Sequence, residues 1–478
     1  MNVLMVASEC APFIKTGGLA DVAGALPGAL ARHNVSCRTL LPAYPSLQPL
    51  LSDGEEVAAF HDLPGGYGRL VLVTAQGIDL LLLDAPQLFD RPGQPYSTPE
   101  GGDWPDNYLR FGALAQAAAR IGLEGLDGWA PDIVHAHDWQ AGLAPVYLKQ
   151  AHRPAPKSVI TIHNIAFKGS YGPHVLGELG LRGDWFHPEA LEFHGDLSFL
   201  KGGLMFADRI TTVSPTYARE ILTADYGMAL EGVLQARSSV LSGILNGIDT
   251  QVWNPSDDPA LARGYDARSL GRKAETRAAI ADRLGLDPNA TGPLFCVISR
   301  LTEQKGLDAL VGVLPYLVER GGQLAMLGAG QTELEQAYAA TAAAHPGQIG
   351  AVFGYDEAFS HQLQGGSDAI LIPSRFEPCG LTQLYGLRYG TLPVVARTGG
   401  LADTVIDANA AAIDMGCATG FVFDDVSAAG ITAVLDRVFD AHAQKKTWQA
   451  MQRAAMRQPV GWEQSALAYV KLYEALTE

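Results

Sequence analysis

Two words are missing from this chain that would each have fixed its chemistry. There is no GxxxxGK[ST], so a P-loop NTPase is excluded. No two aspartates stand two positions apart, so the Asp-x-Asp pair that often holds a divalent metal on a nucleotide diphosphate is missing as well. Among the five cysteines (Cys10, Cys37, Cys296, Cys379, Cys417) there is no CxxC and no paired spacing. That argues against a zinc ribbon or a disulfide frame and for reduced thiols in a cytoplasm. The apolar run near Ile78–Leu83 is far too short to span a bilayer, and no basic segment precedes the N-terminal apolar run, which reads as a strand and not a signal peptide. Positive charge is scarce too: 34 Lys and Arg against 51 Asp and Glu give a net charge of −17. A nucleic-acid or anionic-membrane partner would need a basic face, so neither is expected. An anionic small substrate must then be met by a few locally placed cations.

What is present suits an α/β protein of more than one domain. The chain has 478 residues, 47% of them hydrophobic, and 53 glycines, more than one hydrophobic core normally serves. Asn2–Ala7 reads as a strand, Lys15-Thr-Gly-Gly-Leu-Ala-Asp21-Val22 as a phosphate-sized turn, and Asp21–Arg32 as a helix blemished by Pro27. With a strand at Cys37–Leu41 this β-α-β opening predicts a parallel sheet. Leu70–Thr74 and Ile78–Leu83, split by Gln76-Gly77, read as an edge hairpin. A Pro-, Gly- and Asp-rich loop runs from Asp84 to Asp106, followed by a helix at Asn107–Ile121. Strands at Ile133-Val134 and Ser158–Ile162 lead into His135-Ala-His137-Asp138-Trp139 and His163-Asn164, on the carboxyl ends where open parallel sheets bind ligands. Further strands are read at Ile210–Val213 and Ser242–Leu245. Residues 256–292 read as polar and helical. A second βα series begins at Leu294–Ser299 and runs through Gln323–Leu327, Gly350–Phe353, Ala369–Ile372 and Val394-Val395-Ala396 into a second TGGLAD at Thr398–Asp403.

Lys15, Arg300 and Lys305 are the best-placed cations. Arg300 ends a strand and Lys305 stands where the next helix starts, a spacing that lets a bidentate and a mobile cation reach one pyrophosphate. Either double-glycine turn taken alone is equally a helix cap. Gly328-Ala-Gly330 lacks the third glycine of a dinucleotide fingerprint, and no cofactor is called for. His135-Ala-His137-Asp138 lacks a completing ligand, so no metal is expected. Glu377, in Ser374-Arg-Phe-Glu-Pro-Cys-Gly-Leu381, sits just after a buried strand, where a carboxylate can meet a sugar hydroxyl or a developing positive centre. Cys379 as a nucleophile is the rival, with no sequence neighbour to activate it.

Taken together, KTGGLADV, HAHDW, TIHN, SRLTEQKG, FGYD and the stretch Ser374–Val405 resemble the bacterial glycogen synthase and plant starch synthase family, in order and over nearly the whole chain. The resemblance implies a GT-B fold, two Rossmann-like domains facing each other across a deep cleft: residues 1–245 on the acceptor side, with 459–478 crossing back to it, and 246–458 on the donor side. It implies transfer of glucose from ADP-glucose to the non-reducing end of an α-1,4-glucan such as glycogen, with retention of configuration. Lys15, the Gly17-Gly18 turn, Arg300 and Lys305 would hold the diphosphate. Glu377 and His163 would serve the transferred sugar. Asp21, Asn246, Tyr355 and Cys379, Gly380, Leu381 and Thr382 would complete the donor pocket, and Tyr96, Asp138 and Trp139 would lie toward the glucan. Eight positions after Glu377, where related retaining transferases often carry a second glutamate, stands Tyr385, as in the synthase family itself. The alternatives are a UDP-glucose-using or short-maltosaccharide-extending enzyme and, from a different class, a non-catalytic glucan-binding protein.

Overall fold

The computed structural model describes residues 1–126 and 128–478, and it separates into two compact units: Met1–Asn246 with Trp462–Glu478, and Gly247–Gly461. In the first unit the strands are β1 (Asn2–Val6), β2 (Ser36–Pro42), β3 (Glu55–Leu63), β4 (Gly66–Ala75), β5 (Ile78–Asp84), β6 (Ile133–His137), β7 (Lys157–Ile162), β8 (Ser170–Tyr171), β9 (Glu192–Phe193), β10 (Asp196–Ser198), β11 (Arg209–Thr212) and β12 (Leu241–Gly243). Nine of them form one sheet in the order β12-β11-β7-β6-β1-β2-β5-β4-β3, and β8-β10-β9 form a small separate sheet. The central strands are almost wholly buried, as parallel strands covered on both faces must be.

Gln76 and Gly77 both take positive φ (50° and 76°), which suits the tight β4–β5 hairpin. The hairpin is not a simple edge addition. Strand β5 joins β2 in parallel, and the half-exposed β3, unforeseen in the sequence, is the edge.

The chain leaves β1 toward β2 and β5 on one side and returns through β6, β7, β11 and β12 on the other, so the order reverses between β1 and β6. Such a reversal opens a crevice at the carboxyl ends of the two strands. The helix Glu463–Thr477 packs on the amino-terminal half of this unit, with Trp462, Ala466, Tyr469, Val470 and Tyr473 in one core with Val3, Met5, Val22 and Leu26.

The second unit holds β13 (Leu294–Ile298), β14 (Gln323–Gly328), β15 (Ile349–Phe353), β16 (Ala369–Ile372), β17 (Leu392–Ala396) and β18 (Phe421–Phe423), all parallel. Their order, β15-β14-β13-β16-β17-β18, is the doubly wound arrangement of a dinucleotide-type fold, with its reversal between β13 and β16. Alternate residues serve opposite cores: Phe295 and Val297 face one helix layer, Leu294 and Cys296 the other. Residues 256–292 are mostly irregular, with one helix of any length, Lys273–Leu284.

Candidate active site

In the first unit the site begins at the turn after β1. The helix Gly18–Ala31 has Gly17 at its N-cap and no side-chain cap of its own. Glu9 fills that role from outside the helix. This buried carboxylate, 3% exposed, accepts from the Thr16 amide, from Thr16 Oγ1 at 2.6 Å and from the Gly17 amide at 3.1 Å. It also accepts from the Tyr96 hydroxyl, which lies 2.8 Å from Ser8 Oγ. Tyr96 therefore ties the long loop to the glycine turn by its hydroxyl. Lys15 is half-exposed and reaches Asp21 at 2.7 Å. Glu9 was missed in the sequence because its partners lie seven and eight residues away through backbone amides, and at Tyr96, far along the chain.

On the other side of the reversal, β6 and β7 present the histidines. Asp138 stands at φ 56°, and its Oδ1 accepts from the His163 amide at 2.7 Å and the Asn164 amide at 3.4 Å, binding the two strand ends together. Burial pushes its carboxyl up to about 7 against the pull of those two amides. His137 Nδ1 lies 2.9 Å from His163 Nε2. Burial drives all three imidazoles of the cluster down, His135 and His163 to about 3 and His137 well below its ordinary value, so all are neutral at physiological pH. Trp139 is only 9% exposed and is enclosed by Tyr96, Phe111, Tyr171 and Phe199 at centroid distances of 5.0–6.5 Å. Asn246 is buried, and its Oδ1 has no partner in the protein.

In the second unit, Arg300 and Lys305 follow β13, and Glu377 follows β16, the two strands that flank the reversal. Gly330 lets the neighbouring loop lie against this turn: a Cβ there would stand 2.2 Å from the Leu301 carbonyl oxygen. Arg300 is exposed and forms no ion pair among the described residues. Lys305 Nζ donates to Glu377 Oε2 at 2.5 Å, and Ser374 Oγ donates to the same oxygen at 3.0 Å. Two further ties fasten these loops together. Arg375 grips Asp308 with two bonds of 2.6 and 2.8 Å, and Gln304 Nε2 donates to the Phe376 carbonyl at 3.1 Å. Arg375, Asp308, Gln304 and Ser374 were not singled out in the sequence.

After Glu377, Cys379, Gly380 and Leu381 lead into the helix Thr382–Tyr389, whose first turn has no side-chain cap. Gln383 Nε2 instead holds the loop by the carbonyls of Cys379 and Gly380, at 3.0 and 2.9 Å. Open amides at that helix start suit an anionic group. Tyr385, on the same helix, stacks on Trp253 at 3.6 Å, and His361 covers the other face of the indole at 3.8 Å. Tyr355 is 81% exposed, two residues beyond β15.

The second TGGLAD has a different role from the first. A Cβ on Gly399 would lie 1.9 Å from the Glu377 carbonyl oxygen, and one on Gly400 would lie 2.1 Å from that of Cys379. The Gly400 amide donates to the carbonyls of Glu377 and Pro378 at 3.2 and 3.0 Å. The double glycine is there so that backbone can pack on backbone, fixing the turn that aims Glu377.

Among the described residues no group of three or more His, Cys, Asp or Glu side chains could hold a metal ion, and no helix is long and apolar enough to cross a membrane.

Two Rossmann-like units with cations, a paired carboxylate and an open helix start at the carboxyl ends of their strands define a glycosyltransferase of the GT-B type. Comparison with known proteins makes the assignment narrower. The family description "Starch synthase catalytic domain" matches residues 2–236, and "Glycosyl transferases group 1" matches residues 281–456. The chain is 58% identical to the glycogen synthase of Roseobacter denitrificans, covering 100% of this chain and 99% of that one. It is 51% identical to glycogen synthase 1 of Rhizobium radiobacter, with the same coverage. The catalytic domain of starch synthase IV from Arabidopsis thaliana, solved with ADP and acarbose bound, superposes with a TM-score of 0.88 at 31% identity, covering 100% of this chain and 99% of that one. The chain belongs to the bacterial glycogen synthase and plant starch synthase family, and it is a hexosyltransferase.

Proposed function

We propose that the protein transfers glucose from ADP-glucose to the non-reducing 4-hydroxyl of an α-1,4-glucan, with retention of configuration, in the building of glycogen, and that it does so in the cytoplasm without a metal or cofactor. The observation that carries this reading is the Lys305–Glu377–Ser374 cluster beside an uncapped helix start. A diphosphate leaving group needs fixed positive charge, and in this reading Arg300, Lys305, Lys15, the Gly17-Gly18 turn through the Gly18 amide (that of Gly17 being held by Glu9) and the amides of Gly380–Thr382 supply it where no Asp-x-Asp metal site exists. The relatives' names support the glucan, and the ADP in the starch synthase structure supports the nucleotide. Asp21, Asn246, Tyr355 and Cys379 complete the donor set in this reading, and Asp138, Trp139 and Tyr96 serve the acceptor side.

The mechanism follows from the way Glu377 is held. Its Oε2 already shares charge with Lys305 and Ser374, which makes the carboxylate a stabiliser of oxocarbenium-like charge and a poor covalent nucleophile. The acceptor hydroxyl then attacks on the face that the nucleotide leaves, and its proton passes to a departing phosphate oxygen. Interactions with the diphosphate that strengthen as the bond breaks lower the barrier.

The test is to incubate purified protein with glycogen and ADP-glucose or UDP-glucose, with and without EDTA, and to follow nucleotide release and glucan growth. Turnover with ADP-glucose that EDTA leaves intact is expected. No release with either donor would overturn the enzyme reading, preference for UDP-glucose would overturn the donor, and loss with EDTA would overturn the metal-free cradle. Glu377→Ala should lower turnover by about two orders of magnitude.

A further inference from the structure

The histidines at the ends of β6 and β7 are linked in a way that the proposed chemistry has not used. His135 is tied at both nitrogens, with Nδ1 2.7 Å from the Tyr473 hydroxyl and Nε2 2.6 Å from Thr161 Oγ1. His137 lies next, its ring 4.3 Å from that of His135 and 5.2 Å from that of His163. It is fully buried, and only its Nδ1 is engaged, with His163 Nε2 at 2.9 Å; its Nε2 has no partner in the protein.

In a hydrogen bond between two neutral imidazoles one ring donates and the other accepts, and each ring carries a single proton. If His163 donated from Nε2, the proton of His137 would stand on its own Nε2, as a buried N–H with no acceptor. If His137 donates from Nδ1, what remains at its Nε2 is an unpaired lone pair. Orphaned N–H groups are the rarer of the two in folded proteins, and leaving a buried donor unmade carries its full desolvation cost. His137 is therefore the donor. His163 accepts on Nε2, and its one proton is on Nδ1, for which no acceptor exists among the described residues.

We propose that His137 is a positioning residue that locks His163 as the Nδ1–H tautomer, making His163 an uncharged hydrogen-bond donor to an oxygen of the transferred sugar. This rests on the reading that places His163 beside that sugar. Neutrality has a physical purpose there. A cationic imidazolium would repel the positive charge that develops at the anomeric carbon, whereas an N–H dipole holds a hydroxyl without opposing it. Burial keeps both rings uncharged. The same arrangement removes His163 from general acid–base work near neutral pH.

The experiment uses the full-length protein labelled with 15N-histidine, with the His163 signals assigned by their loss in His163→Gln. Long-range proton–nitrogen correlation should show a protonated Nδ1 and a bare Nε2 at His163. The opposite pattern overturns the proposal. In kinetics, His137→Asn keeps an amide N–H near the position of Nδ1 and should stay within about threefold of the wild-type kcat, whereas His137→Leu should lose roughly tenfold, as befits one hydrogen bond, with the glucan KM unchanged. Equal kcat in the two variants would overturn the positioning role. Should His137→Leu fail to fold, the wild-type spectrum still decides the tautomer. A His163→Gln enzyme with full turnover would instead remove His163 from the sugar, a failure of the underlying reading that the spectrum separates from a failure of this one.

Discussion

Removing Lys305 should weaken the second unit as well as stop the reaction, and the two losses can be told apart. Glu377 and Lys305 have side chains only 10% and 17% exposed, and they meet at 2.5 Å. Lys305→Met keeps the apolar stem and deletes the charge, so a nearly buried carboxylate is left with only the Ser374 hydroxyl. Stripping one partner from such a pair costs about 3–5 kcal/mol. For a unit of roughly 200 residues, where 1 kcal/mol shifts the midpoint by about 2–4 °C, the melting temperature should fall by roughly 6–20 °C. Lys305→Met/Glu377→Gln removes both charges and should return most of that loss, leaving a coupling of about 2–4 kcal/mol between the two sites. Scanning calorimetry without nucleotide reads the stability, and nucleotide release reads the chemistry. Both variants should be inactive while only the single one is markedly destabilised. If the two substitutions were additive in stability, the pair would be no more than a crystal-like juxtaposition of surface charges, and the account of Glu377 as a restrained carboxylate would fail.

Two further outcomes follow from the first unit. Glu9→Gln leaves one oxygen where two now collect the Thr16 and Gly17 amides and the Tyr96 hydroxyl; the ADP-glucose KM should rise roughly tenfold with the glucan KM unchanged, the scale of losing one charge-assisted bond, and a lowered donor KM would show Glu9 to be a competing anion instead. His135, His137 and His163 all have folded pKa values depressed below the unfolded value of about 6.5, so each contributes stability that is complete above that pH and is lost as pH falls toward 3. Asp138, raised to about 7, acts in the opposite sense between its unfolded value and that pH, cancelling about one proton of the three. The first unit should therefore lose on the order of 2–3 kcal/mol per pH unit between about pH 6 and 4, a slope that His137→Asn makes shallower; melting temperatures that do not change from pH 7 to 5 would refute the buried, neutral trio.

Most strands of the two large sheets were legible because parallel strands buried on both faces are written as unbroken apolar runs such as Val3–Val6 and Ala369–Ile372, whereas the three-residue Phe421–Phe423 and the short strands of the small sheet are too brief to read. The edge strand Glu55–Leu63 was not: it is half-exposed, carries three acidic residues (Glu55, Glu56 and Asp62) and owes its existence to pairing with β4. The polar span 256–292 misled for the opposite reason, since charged and alanine-rich composition favours a helix wherever nothing else decides, and here only Lys273–Leu284 takes one of any length, while Asn254, Asp258 and Asp266 hold the chain before it in turns by accepting from the amides of Ser256, Ala260 and Arg268. In the site, single residues at strand ends could be named from the sequence, while their pairings could not. Lys305 and Glu377 stand 72 positions apart, Glu9 and Tyr96 stand 87 apart, and no local pattern joins them. The two TGGLAD words show the limit most clearly. Identical letters become a glycine turn capped by an outside carboxylate in one unit and a backbone-packing wedge under Glu377 in the other, because Glu9 precedes one and the Glu377 turn lies against the other.

The state of the three cations bears on why the proposed reaction is fast at its transition state and not merely tight in its ground state. Two of them are already partnered: Lys15 with Asp21 and Lys305 with Glu377; Arg300 alone has no ion pair among the described residues. A diphosphate arriving at Lys15 or Lys305 must share it with a carboxylate, so much of its attraction is offset when the donor first binds. As the glycosidic bond breaks, the leaving group gains negative charge and the sugar gains positive charge. In the proposed reaction Lys305, still bonded to Glu377, then attracts the phosphate more strongly, while Glu377, held by Lys305 and Ser374, faces a centre that now attracts it. One pair thus serves both ends of the breaking bond, and its interactions grow with charge separation, which is the condition for binding energy to raise kcat. In a protein of net charge −17 with few cations at strand ends, pairing each lysine with a carboxylate of its own unit also keeps it from standing as uncompensated positive charge open to any cellular polyanion.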